Sequence, residues 1–143
     1  MDFAFPGGLQ LCYIGIYAPS VASELHPLVA RLQGMLSSAC ASGLQVIIAG
    51  DLNGVFDPSR DCIPGHKSST PETVLMRLLS HHDLTDTYSV THSDVYTLQA
   101  MTCINPANMS SGSCIDYILA SPELALQVPH SQVVSVTGLV TDH

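Results

Sequence analysis

The stretch that most constrains this chain is Leu44-Gln45-Val46-Ile47-Ile48-Ala49-Gly50-Asp51-Leu52-Asn53. Val46 to Ala49 is a short, continuous apolar run rich in β-branched side chains, which reads as a strand buried on both faces. It stops at Gly50, where the backbone is free to turn, and then presents Asp51 and Asn53. An acid and an amide leaving the carboxyl end of a buried strand stand where open α/β sheets place their ligands. With one residue between them, both side chains can enter one crevice. Taken alone, Gly50 to Asn53 reads equally well as an Asx-rich turn that caps a strand.

The flanking sequence gives that strand a setting. Leu9 to Ala18 carries apolar residues at both parities and predicts an interior strand, stopped by Pro19. Tyr17, near its end, can turn its hydroxyl toward the edge that holds Asp51, although a tyrosine there also serves packing. Leu25, Leu28, Val29, Leu32 and Leu36 recur at helical spacing, and Gly43 suits the position just past a helix. Pro27 fits only a first turn, which puts the helix start toward Ser23. Strand, helix and strand in that order imply a parallel or mixed sheet.

Residues 53–69 are polar and irregular, with Gly54, Pro58, Pro64 and Gly65, and hold Arg60, Asp61, His66 and Lys67. Thr70-Pro71 offers a cap and a first-turn proline for a second helix with Val74, Leu75, Leu78 and Leu79 on its core face. That helix frays at His81-His82, whose adjacent side chains point in different directions and make a poor pair of metal ligands. A strand is expected at Val95-Tyr96-Thr97, a structureless polar loop over 101–112, and a strand over 113–120. Asp116 is the anomaly of that last strand, because a lone buried carboxylate is too costly and must be paired or solvated. A final strand over 133–140 leads to Thr141-Asp142-His143.

Composition limits the function classes. At 143 residues, 46% hydrophobic and 11% charged, the chain is long enough for one real core and is not a disordered composition. It has no apolar run long enough to span a bilayer and no signal-peptide pattern at its start, so no membrane partner is expected. Five scattered cysteines without a CxxC pair argue against a disulfide framework or structural zinc, and for a reducing, intracellular compartment. Twelve acids against four bases, Arg31, Arg60, Lys67 and Arg77, leave a formal net charge of −8. Four scattered cations make no broad phosphate-binding footprint. If a phosphate ester is the substrate, a divalent metal must carry much of the charge compensation.

Three strand-end sites remain: Asp51 with Asn53, Asp116, and Asp142 with His143. Converging acids, an amide and a histidine suit metal-assisted hydrolysis of a phosphate ester. On these residues the chain resembles the endonuclease/exonuclease/phosphatase superfamily, which includes the DNase I-like nucleases. Residues 16–20 (IYAPS) resemble its tyrosine-bearing strand and 49–53 (AGDLN) its GDFN motif. Residues 113–119 (SCIDYIL) resemble its SRIDYIL strand and 141–143 (TDH) its closing SDH. Tyr96-Thr97 is similar to its aromatic–threonine pair. The style of these motifs is most similar to the endonuclease domains of non-LTR retrotransposons, and then to abasic-site endonucleases.

The resemblance implies a four-layer α/β sandwich, two facing mixed sheets with helices outside, formed incompletely. Residues 1–143 would be the C-terminal portion of such a domain, without its first strands and the asparagine and glutamate they carry. It implies Mg²⁺, with Mn²⁺ as the alternative, held by Asp142, Asp51 and Asn53. Asp51 would activate the attacking water, Asn53 would hold the phosphate or that water, Tyr17 would contact the phosphate, and Asp116 would orient His143. It also implies endonuclease action on the phosphodiester backbone of DNA, impaired in a chain without the upstream residues; location within the cell stays open, the nucleus included. A reverse transcriptase domain would lie downstream in a full-length protein. Cys114 stands where the family has arginine. Two other readings stay open: a phosphatase or phosphodiesterase of the same superfamily on lipid or small phosphates, and a non-catalytic remnant.

Overall fold

A computed structural model describes residues 1–63, 74–92, 100–104 and 111–134. Among them, β1 (Asp2–Ala4), β2 (Gln10–Tyr17), β3 (Gln45–Asp51), β4 (Thr85–Asp86) and β7 (Asp116–Ala120) form one mixed sheet in the order β1-β2-β3-β7-β4. Two further strands, β5 (Cys103–Ile104) and β6 (Gly112–Ser113), pair with each other as a second, small sheet. Helix α1 (Ala22–Ala41) connects β2 to β3, which run parallel as the strand–helix–strand order predicts. Helices α2 (Pro58–Asp61), α3 (Val74–His81), α4 (Thr87–Thr91) and α5 (Pro122–Ala125) complete the described elements. No described helix is long and apolar enough to cross a membrane.

One face of the large sheet meets the helices. Ile14 and Ile16 from β2, Val46 and Ile48 from β3 and Leu119 from β7 pack with Leu32 and Leu36 of α1 and with Leu75 and Leu79 of α3. The other face is open, with Tyr13, Tyr17 and Ile118 exposed. Thus β2 alternates inward and outward instead of being interior at both parities, and Ile47 and Ala49 on β3 are half-buried, not enclosed. Both strands read as doubly buried because the outward positions also carry apolar residues.

The end of α1 follows its sequence. Gly43 takes φ +67°, the Leu44 amide donates to the Ala39 carbonyl at 2.9 Å, and the Gly43 amide donates to Cys40 at 3.0 Å. That is the double hydrogen bond that closes a helix on a left-handed residue. Its start differs from expectation, since Pro27 lies inside the helix and not in the first turn. Long-range packing of the apolar stripe outweighs the one backbone bond a proline removes.

Other expectations are corrected locally. The core face of α3 includes Met76, while Val74 is exposed. The loop over 101–112 contains β5 and the start of β6, and the strand expected over 113–120 is broken between Ser113 and Asp116. The expected strand at 95–97, the helix start at 70–71 and most of the strand over 133–140 lie outside the described residues.

Candidate active site

The register of three strands assembles the site. Asp51 ends β3, Tyr17 ends β2 and Asp116 begins β7; Tyr17 pairs with Asp51 in the parallel ladder and Asp116 pairs with Asp51 in the antiparallel one. Paired residues on neighbouring strands send their side chains to one face at roughly 5 Å spacing. The three therefore form a row, tyrosine, acid, acid, across the end of the open sheet face. Asp51 is 7% exposed and Tyr17 76%.

Asn53 closes over the row. Its φ of +45° is left-handed, a conformation asparagine tolerates better than most residues. Its backbone amide donates to Asp51 Oδ1 at 2.8 Å. Its side-chain Nδ2 donates to the Ala18 carbonyl at 2.6 Å and to Asp51 Oδ2 at 3.3 Å. Both amide protons of Asn53 thus have protein acceptors, and the residue orients Asp51 while tying the turn to the end of β2.

Gly50 does a different job from the one its position implies. It remains in β3 with φ +139°, and a Cβ there would lie 1.9 Å from the Ile16 carbonyl oxygen. Only glycine allows β2 this close to the residue before Asp51.

On the other side, the Asp116 and Ile115 amides both donate to Thr102 Oγ1 at 3.1 Å, fixing the start of β7. A recess of about 270 Å³ opens beside Asp116, lined in part by Gly50, Tyr88, Thr102, Cys114 and Gln132. Burial, with Asp61, Asp86 and Asp116 adding negative charge, pushes the Cys114 thiol up to about 12. A thiol that stays protonated is no nucleophile, so cysteine chemistry has no place here.

The residues that sequence reading missed lie behind the row. Asp61, which falls in the stretch that reads as polar and irregular, is fully buried. Asp57 caps α2 by accepting from the Ser59 amide at 2.9 Å, and Pro58 starts the helix. An acid followed by proline at a helix start was the available signal. Tyr117, next to Asp116, reaches Asp61 Oδ2 at 3.0 Å, and the Phe56 ring meets Tyr117 edge-on at 5.1 Å.

The structure thus brings Tyr17, Asp51, Asn53 and Asp116 together, while Asp142 and His143 lie outside the described residues. Carboxylates and an amide oxygen are the hard donors that Mg²⁺ prefers. Among the described residues, however, no group of three or more His, Cys, Asp or Glu is placed to hold an ion. The His81 and His82 rings meet edge to face at 5.8 Å, at the end of α3.

No protein-family model and no curated protein sequence matches the chain. Solved structures do. The catalytic domain of Xenopus laevis APE2 superposes with a TM-score of 0.64 at 24% identity, covering 82% of this chain and 42% of that one. The 3′ phosphatase NExo from Neisseria, bound to a product DNA hairpin, gives 0.63 at 17% identity, covering 87% and 52%. The 3′-5′ exonuclease NExo from Neisseria meningitidis gives 0.64 at 18% identity, covering 83% and 51%. The chain therefore spans about half the length of these neighbours. Sheet order and these superpositions lead to one conclusion: the chain shares the fold of these nuclease and phosphatase structures.

Proposed function

We propose that this chain contributes the Asp51–Asn53–Asp116 part of a phosphodiester-hydrolysing centre that acts on DNA. The observation that carries the proposal is the row of Tyr17, Asp51 and Asp116 in register, with Asn53 clamped onto Asp51. Two of the three structural neighbours are named as a 3′ phosphatase and a 3′-5′ exonuclease, the first bound to a product DNA hairpin.

Within this reading Asp51 takes the proton from the attacking water, and the two hydrogen bonds from Asn53 keep its carboxylate in one orientation. Tyr17, exposed beside it, offers a hydroxyl to a phosphate oxygen. By the motif resemblance, Asp116 would be the acceptor that orients His143. A Mg²⁺ held by Asp51 with Asn53 and Asp142 would supply charge neutralisation of the phosphate when bound. The net charge of −8 favours a second reading, hydrolysis of a small or lipid phosphate whose approach needs no broad cationic surface.

Nicking of supercoiled plasmid in magnesium, run beside phosphate release from a phosphoinositide, decides between them. Nicking that is lost in a folded Asp51→Ala variant supports the DNA reading, and phosphate release without nicking supports the second. A chain that binds no magnesium, and in which Asp51→Ala changes neither assay, rejects both and leaves a non-catalytic remnant.

A further inference from the structure

Behind the acid row lies a buried ionic network that the proposed chemistry does not use. Asp61 accepts from Arg60 Nε at Oδ1. At Oδ2 it accepts from the other arm of the same guanidinium at 3.1 Å, from the Asp57 amide at 3.0 Å and from the Tyr117 hydroxyl at 3.0 Å. Four donors on one carboxylate explain how a fully buried acid persists. Arg60 also reaches the buried Asp86, at 3.6 Å from Oδ2. The single Tyr117 hydroxyl proton is shared between Asp61 and the Cys114 carbonyl at 2.8 Å, and burial holds its pKa above the usual phenol range. It stays a donor at any working pH.

Each arm of this network ends on an element that carries the site. Asp61 closes the turn that begins at Asp51, and that turn is stitched to the chain before β7. Its bonds run from the Leu52 amide to Ile115 at 2.8 Å, from Cys114 to Asp61 at 2.8 Å and from Ile63 to Gly112 at 3.1 Å. Tyr117 is the residue after Asp116. Asp86 pairs with Leu119 across β4 and β7 and caps α4 through the Tyr88 and Ser89 amides. One guanidinium thus joins the turn after Asp51, the strand that starts at Asp116 and the strand that borders it.

We infer that Arg60 is a positioning residue, whose planar fork sets the separation and orientation of Asp51 and Asp116 through Asp61 and Tyr117. A lysine keeps the charge but supplies one point instead of a fork, so it holds Asp61 without fixing the angle of the turn. The kinetic consequence rests on the proposed phosphodiester chemistry; the structural one does not.

The test is Arg60→Lys in the full chain, read by amide hydrogen exchange and, where the parent nicks plasmid, by steady-state kinetics. Exchange at the Asn53 and Asp116 amides is expected to rise about tenfold, while Leu32 and Leu36 in α1 keep their protection. kcat is expected to fall about 10- to 100-fold, by analogy with losses of groups that orient a site, at a nearly constant KM. Tyr117→Phe, which keeps the ring and removes one arm, is expected to shift the same two amides. Exchange that rises equally in α1, or that moves at neither site residue in both variants, overturns the inference. A parent chain without nicking refutes the proposed function alone, since the exchange measurement still decides the role of Arg60.

Discussion

Asp51 and Asp116 are register partners on the antiparallel strands β3 and β7, so two acids from distant parts of the chain stand side by side at one end of the sheet. Like charges this close raise each other's energy unless a cation or hydrogen bonds compensate them. The amides of Asn53 do so for Asp51, and Thr102 fixes the backbone of Asp116. The pairing is a reason to expect both residues to matter for activity more than for folding.

Replacing Asp51 by alanine should abolish magnesium-dependent nicking, with a loss on the order of 10²- to 10⁴-fold if Asp51 is the base. The same change leaves two donors of Asn53 without their acceptor, at a cost of about 1–3 kcal/mol. Urea denaturation beside the nicking assay separates the two effects. Asp51→Asn, which keeps the shape, should lose activity at a smaller cost in stability.

Gly50→Ala should be far more damaging than its size implies. The added Cβ meets the Ile16 carbonyl at 1.9 Å on a backbone with φ +139°, so β2 and β3 must part. A loss of roughly 3 kcal/mol or more is expected from strain and broken ladder bonds together. A thermal melt followed by circular dichroism measures it; a melting temperature within a degree of the parent would contradict this packing.

Cys114 predicts a loss of stability at alkaline pH. Burial raises its folded-state pKa to about 12 from the ordinary thiol value of 9.0, so the unfolded chain releases this proton first as pH rises. Its contribution is whole below pH 9 and falls through the window from 9 to 12, by at most about 1.4 kcal/mol per pH unit. Denaturation midpoints across that window should fall less steeply for Cys114→Ala than for the parent. In the native chain at neutral pH, the exposed Cys40 should alkylate readily and the buried Cys114 only on unfolding.

Asp57 predicts the opposite limb. Ser59 hydrogen bonds hold its carboxyl below the ordinary value of 3.8. A lowered folded-state pKa gives stability that is present above that ordinary value and lost as pH falls below it. The cap sits at the surface, so the effect is small, and Asp57→Asn should flatten the acid limb of a pH–stability curve without altering the plateau at pH 7.

Local chemistry was enough to identify several pieces of this protein. The run from Val46 to Ala49 ending on Asp51, the helical stripe closed at Gly43, and a carboxylate misplaced in an apolar strand at Asp116 all follow from neighbours a few residues away. The sequence alone therefore determined the types of β2, α1, β3, α3 and β7 and three of the acid and amide residues worth testing. Only the tertiary structure decided that Tyr17, Asp51 and Asp116 share one row, because strand register is a long-range property. It likewise decided that Asp61 is a buried anchor, since the groups that make its burial tolerable include Tyr117, a residue far along the chain. Arg60 and Asp57 are near in sequence, but the Tyr117 donor and the packing that excludes water come from the whole fold, which no local pattern records.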